Sequence, residues 1–314
     1  MSIRARVLTA VIIMLVLAVG LGLLRGFTES GRLQAAFDAE FLSRPDGYPG
    51  LKEHYGLEFP SPPIQMDPGL MYLAVAEGSV DVIDGYSTDG RIEAYDLIVL
   101  EDDESFFPPY DAAPLVRRAL LDREPRIREV LNELAGRLDA ETMRQLNLEV
   151  DEQGTKARQV ARQYLEQAGL LTGDPAERRS APAITVGGKH FSEQEILGEM
   201  MALMIEHRLG LAVERSLNMG GTMICFNALK SGDIDLYAEY TGTGLVSVLD
   251  RPAERDPQAV LDEVRKTFRQ RWSLIWLEPF GFSNTYALVM RRERAENLSL
   301  ETISDLTRYL EQEP

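Results

Sequence analysis

Four tyrosines stand where the chain ends a strand or enters a loop: Tyr86, Tyr110 in Phe107-Pro-Pro-Tyr-Asp111, Tyr240, and Tyr286 in Phe282-Ser-Asn-Thr-Tyr286. One tyrosine at such a place is ordinarily a packed or interfacial aromatic. Four together could line a cleft with ring faces. Such a cleft attracts a quaternary ammonium through the ring quadrupoles, at about 0.5–2 kcal/mol per ring. A trimethylammonium group has no N–H to donate, so its recognition rests on ring faces and the exclusion of water.

Two of the four tyrosines belong to a repeat. A shift of 154 positions lays Gly78, Asp81, Tyr86, Ser87 and Gly90 on Gly232, Asp235, Tyr240, Thr241 and Gly244, so the chain holds two similar halves. Stretch 233–244 reads as a short buried strand, with Ile234 and Leu236 at β-prone positions, running into a tight turn. Its hydroxyl and glycine residues place free N–H groups at the strand's carboxyl end, where open α/β sheets bind ligands.

The elements that must position these residues alternate. Strands are expected at 33–37, 80–84, 96–100, 184–186, 212–217 and 286–290. Asp67, Asp139 and Asp256 read as helix caps, with Pro68 and Pro257 tolerated in first turns. The whole of 113–169 reads as helical. Ser192 and Glu195 read as a capping box ahead of an apolar face made by Ile196, Leu197, Met200, Met201 and Met204. Alternating strands and helices call for an α/β architecture. Residues 172–182 (TGDPAERRSAP) have the composition of a linker and divide the chain into two nearly equal parts.

Composition narrows the function classes. At 314 residues two domains are expected, and 45% hydrophobic with 26% charged residues is the balance of an ordered globular chain. A net charge of −17 argues against a nucleic-acid surface. The single cysteine, Cys225, rules out an internal disulfide and a zinc cluster, and reads as a buried hydrophobe. His54, His190 and His207 fall in no nucleophile or metal motif, so an enzyme is not expected and no cofactor is called for. The acidic run 101–104 reads as a solvated loop rather than a metal site. Residues 7–24 form an almost unbroken apolar run behind Arg4 and Arg6, long enough to cross a bilayer. An uncleaved anchor is the preferred reading and a removed signal peptide the other. Both put the rest of the chain outside the cytoplasmic membrane.

The runs Gly188-Lys-His-Phe-Ser-Glu-Gln194, Leu217-Asn-Met-Gly-Gly-Thr222, 233–244, Ser43-Arg-Pro-Asp-Gly47, Tyr86-Ser-Thr-Asp-Gly-Arg91 and Leu100-Glu-Asp-Asp103 closely resemble one family. It is that of the substrate-binding proteins of osmoprotectant ABC transporters for glycine betaine, choline and carnitine. The resemblance covers 33–171 and 184–314. It implies a type II periplasmic-binding-protein fold, in which two α/β lobes close on a ligand in the cleft between them about a hinge. It places the family's aromatic cage on Tyr86, Tyr110, Tyr240 and Tyr286, and its carboxylate clamp on Lys189, Arg44 and Thr243. The polar residue beside the cage becomes Asn284, where some relatives carry Asp. The partners it implies are a small quaternary-ammonium ligand, an ABC permease with its ATPase, and the membrane through the N-terminal helix. A membrane-tethered sensor built on the same lobes is the alternative.

The order of the motifs departs from the family. Residues 31–172 resemble its C-terminal half, taking most of the second lobe before returning to the first. Residues 184–314 resemble its N-terminal half. The expected organisation is therefore an anchor and stalk at 1–30, the two halves in circularly permuted order, and a linker at 173–183 joining the ancestral termini. The other reading of this order is parts of two domains that complete each other between chains.

Overall fold

The computed structural model describes residues 32–312. The expected membrane segment, 7–24, lies outside the described residues, and among those described no helix is long and apolar enough to cross a membrane. Short runs, mostly apolar in the central strands, form two five-stranded sheets. The first contains β1 (Ala35–Phe37), β2 (Ile64–Gln65), β3 (Val82–Tyr86), β4 (Leu97–Leu100) and β10 (Tyr286–Arg291), in the order β2-β1-β3-β10-β4. The second contains β5 (Ala112–Arg117), β6 (Ile184–Gly187), β7 (Val213–Ser216), β8 (Leu236–Tyr240) and β9 (Leu274–Trp276), in the order β7-β6-β8-β5-β9. The two orders are the same pattern.

Each sheet borrows one strand. β10 crosses from the second half of the chain to lie antiparallel between β3 and β4, and β5 crosses from the first half to lie antiparallel between β8 and β9. The crossover segments, 101–111 and 277–285, run side by side as the links between the two sheets. They are tied by an antiparallel bridge between Asp111 and Ser283, and by Asn284 N–H donating to the Tyr110 carbonyl at 3.0 Å. Asp102 fixes the start of the first crossover by accepting from the Tyr55 hydroxyl (2.6 Å) and the Phe106 and Phe107 N–H groups. We name the two sheets with their flanking helices the Tyr86 lobe and the Tyr240 lobe.

The repeat seen in the sequence is structural. Tyr86 ends β3 and Tyr240 ends β8, the corresponding strands of the two sheets. Gly78 and Gly232 both take left-handed backbone angles (φ 78° and 91°) just ahead of these strands, and an arginine packs against each of them, Arg291 and Arg117. Those arginines pair with Asp81 and Asp235, whose carboxylates also accept the N–H groups of Gln34 and Thr185.

Three readings need correction. The stretch 113–169 is not helical throughout, because it opens with β5, a central strand. Ala-Ala-Pro-Leu-Val is covered on both faces, so it lacks the alternation that marks a half-exposed strand, and it passes into the helix Arg118–Arg123 without a turn signal. The capping box is not formed either: the helix Ser192–Leu209 has no side-chain cap, and the Ser192 hydroxyl donates to Asp151. Its methionine stripe does lie in the core, as part of a helix buried on nearly every side. Finally, the turn after Tyr240 is a helical turn, Thr241–Thr243, continued by a π-helical segment, Gly244–Val248. The caps expected at Asp67, Asp139 and Asp256 are made, by bonds to Gly69 N, Thr142 N and Gln258 N.

Candidate functional site

β3 and β10 pair in register with Tyr86 opposite Tyr286, which sets their ring centroids 5.3 Å apart. Tyr110, in the first crossover segment, meets Tyr286 edge-on at 5.7 Å and 88°. Tyr240 enters from the other lobe at the end of β8. All eight residues expected at the site line one small cavity of about 30 Å³ between the lobes: Tyr86, Tyr110, Tyr240, Tyr286, Lys189, Arg44, Thr243 and Asn284. Larger hollows, of about 600 and 490 Å³, lie against the helix Pro257–Trp272 and beside His54. Neither gathers the tyrosines, so size does not mark the site. Burial holds all four phenols well above their ordinary pKa, and they are neutral rings.

Glu40 and Phe191 line the same cavity and were not expected there. Phe191 lies between the lobes' rings, stacked on Tyr86 (5.4 Å, 14°) and on Tyr240 (6.4 Å, 22°). Glu40 reaches across to accept from Thr222 N at 2.6 Å and Thr222 Oγ1 at 3.1 Å. Burial opposes its ionisation, yet Lys189, Arg44 and the Thr222 bonds outweigh burial and hold the carboxyl below the usual range.

The two cations are not bare. Arg44 grips Asp46 through Nε (2.8 Å) and Nη2 (2.6 Å), touches Thr243 Oγ1 of the other lobe at 3.3 Å, and lies 5.2 Å from the Tyr286 ring centre. Lys189 Nζ donates to Glu239 Oε1 at 2.6 Å and lies 5.0 Å from the Tyr240 ring centre. A buried carboxylate thus partners each positive group, as burial of a charge requires.

A third residue that sequence reasoning missed sits just behind the rings. Glu193, 2% exposed, accepts from the Tyr240 hydroxyl (2.6 Å) and Asn284 Nδ2 (2.9 Å) at Oε1, and from Thr88 Oγ1 (2.6 Å) and Asn147 Nδ2 (3.2 Å) at Oε2. Burial raises its pKa and the four hydrogen bonds oppose that rise. An acid in a helix's first turn has an ordinary explanation in the helix dipole, which is why the sequence did not single it out. The arrangement is one of shape, ring faces and fixed charge, suited to holding a small polar molecule between lobes.

Residues 26–167 and 182–313 match the family described as the substrate-binding domain of the ABC-type glycine betaine transport system. The glycine-betaine-binding protein of Pseudomonas aeruginosa is 41% identical over 137 residues, 43% of this chain and 44% of that one. The carnitine transport binding protein of Listeria monocytogenes is 38% identical over 128 residues, 40% of this chain and 42% of its own. A solved structure titled as a glycine betaine/carnitine/choline ABC transporter shares 37% identity over 45% of this chain and 52% of that one, with a TM-score of 0.36. The chain spans less than half the length of these curated relatives. The two matched blocks take in most of the sequence, and on them the chain belongs to the family of substrate-binding domains of ABC-type glycine betaine transport systems.

Proposed function

We propose that the protein is the extracytoplasmic binding component of an ABC importer, capturing a quaternary-ammonium compatible solute such as glycine betaine, choline or carnitine. One observation carries the reading: four neutral tyrosine rings from two lobes and their hinge converge on one cavity with Arg44, Lys189, Thr243 and Asn284. The rings form a cage for the cation. Arg44 and Thr243 sit where a ligand's carboxylate end would lie, with Lys189 nearby. Because Asp46 and Glu239 already partner the cations, a ligand carboxylate shares their donors rather than meeting an uncompensated charge. Asn284 orients the cage through its bond to Glu193. Lobe closure about the hinge retains the solute for delivery to a permease and its ATPase, and residues 7–24 tether the protein to the outer face of the membrane. The role is capture and release, without turnover.

The same reading takes the chain as a circular permutant. The family matches both blocks, whereas single relatives align over 128 or 137 residues, about one block each. Sheet pairing supports closure within one chain, since β10 completes the first sheet and β5 the second. Calorimetric titration of the full chain with glycine betaine, choline, carnitine and ergothioneine tests the proposal. Saturable binding of at least one, with one ligand per monomer mass, is expected; no binding of any removes the ligand class.

A further inference from the structure

Three of the four cage hydroxyls donate to carboxylates. Tyr240 donates to Glu193 at 2.6 Å, Tyr110 to Asp46 Oδ2 at 2.6 Å, and Tyr86 to Asp38 Oδ2 at 3.4 Å. A phenol needs a single acceptor, which a backbone carbonyl supplies equally well, so repeated use of buried anions is informative. Donation to an anion is charge-assisted and strong. It also pushes electron density from the oxygen into the ring and deepens the negative potential over its faces, the property that a cation senses.

Two of these acids, Glu193 and Asp38, form no ion pair among the described residues; Asp38 accepts from the Glu40 and Phe41 N–H groups and meets Tyr86 only at 3.4 Å, whereas Glu193 holds its cage tyrosine at 2.6 Å. Asp46 spends its charge on Arg44, as Glu239 does on Lys189. Glu193's four bonding partners are a phenol, a hydroxyl and two carboxamides, all of them neutral. Both of its oxygens accept two hydrogen bonds, the pattern of an acceptor-only carboxylate. Its charge is carried to the cavity through Tyr240 and directly through a low-dielectric interior.

We infer that Glu193 is a specificity-determining residue: by polarising Tyr240 and standing uncompensated behind it, it makes the cage select a cation over an uncharged group of the same shape. This rests on the quaternary-ammonium reading above. It differs from a structural role, which would hold Tyr240 in place for any ligand alike.

The test uses pairs of ligands that differ only in replacing N⁺ by carbon: choline against 3,3-dimethylbutan-1-ol, and glycine betaine against 3,3-dimethylbutanoate. Affinities are measured for the full chain, for Glu193→Gln and for Tyr240→Phe, using whichever pair the unaltered protein binds. The cation-to-isostere affinity ratio is expected to fall about three- to tenfold in Glu193→Gln, and by a smaller factor in Tyr240→Phe, which keeps the ring and loses the bond. A ratio that stays constant while both affinities drop together overturns the inference and leaves Glu193 a structural residue. Should Glu193→Gln fail to fold, Tyr240→Phe decides alone, and an unchanged ratio there overturns the inference. Absence of binding to choline, glycine betaine and carnitine by the unaltered protein sinks the ligand class and this inference with it. Binding with an unchanged ratio in the variants sinks this inference only.

Discussion

The two lobes share a frame and differ in what they place at its cavity-facing end. Sheet order, the left-handed glycine ahead of β3 and β8, and the aspartate–arginine pair beneath them recur in both. Strand register makes Ala35 equivalent to Val186, and hence Asp38 to Lys189. In the Tyr86 lobe the loop after β1 lays Asp38 on another acid, Asp84, whose Oδ1 accepts the Asp38 N–H at 2.8 Å. In the Tyr240 lobe the same loop lays Lys189 on Glu239. Tyr286 faces Tyr86 in register, whereas the partner of Tyr240 is Ala112. Tyr86 and Tyr240 recur in the cavity lining, the other repeated residues build the scaffold, and the charged groups differ where the repeats diverge.

The acid–acid and acid–ammonium contacts should respond to mutation with opposite sign. Removing the ammonium gives the largest change. Lys189→Ala leaves Glu239, fully buried, without its countercharge, and should cost about 3–5 kcal/mol in chemical denaturation. A loss below about 1 kcal/mol would mean that the two charges are not coupled.

Removing the acid in the other lobe should instead stabilise. Burial, with Asp38 adding to it, lifts the Asp84 carboxyl well above its ordinary value of 3.8, and Oδ2 has no hydrogen-bond partner. A raised native pKa means that the folded state holds the proton longer than the unfolded chain does. The stability this contributes is complete below pH 3.8 and is lost as pH rises through the folded value. Asp84→Asn keeps an acceptor for the Asp38 N–H and cannot ionise. It should be more stable than the unaltered chain at pH 7, by about 1.4 kcal/mol for each pK unit of the lift, with a flatter stability profile between pH 4 and 7. Urea melts across that range check it, and parallel profiles for the two proteins would contradict it.

The same divergence explains what the sequence revealed. β3 and β8 were legible because each ends a glycine-punctuated run with a tyrosine, and the helix caps at Asp67, Asp139 and Asp256 are local signals read within three residues. That the eight candidate residues would gather at one cavity was legible largely through family resemblance, which carries long-range information that spacing lacks. β5 was not, since a strand covered on both faces has no alternation and its partners lie more than 100 residues away. Glu193 escaped for a related reason: its bonds reach 47 residues to Tyr240, 91 to Asn284 and 105 to Thr88. Glu40 likewise meets Thr222 across 182 residues. No local pattern announces an acid whose partners are brought together only by the tertiary fold.

In the proposed function, rings from both lobes make one cage for a quaternary ammonium. Titration of the ligand that the unaltered chain binds best into Tyr240→Ala tests it most directly, with circular dichroism to establish that the variant is folded. Loss of one desolvated ring should weaken binding about thirtyfold, the equivalent of roughly 2 kcal/mol, with the fold intact. Undiminished affinity in a folded Tyr240→Ala protein would contradict the cage.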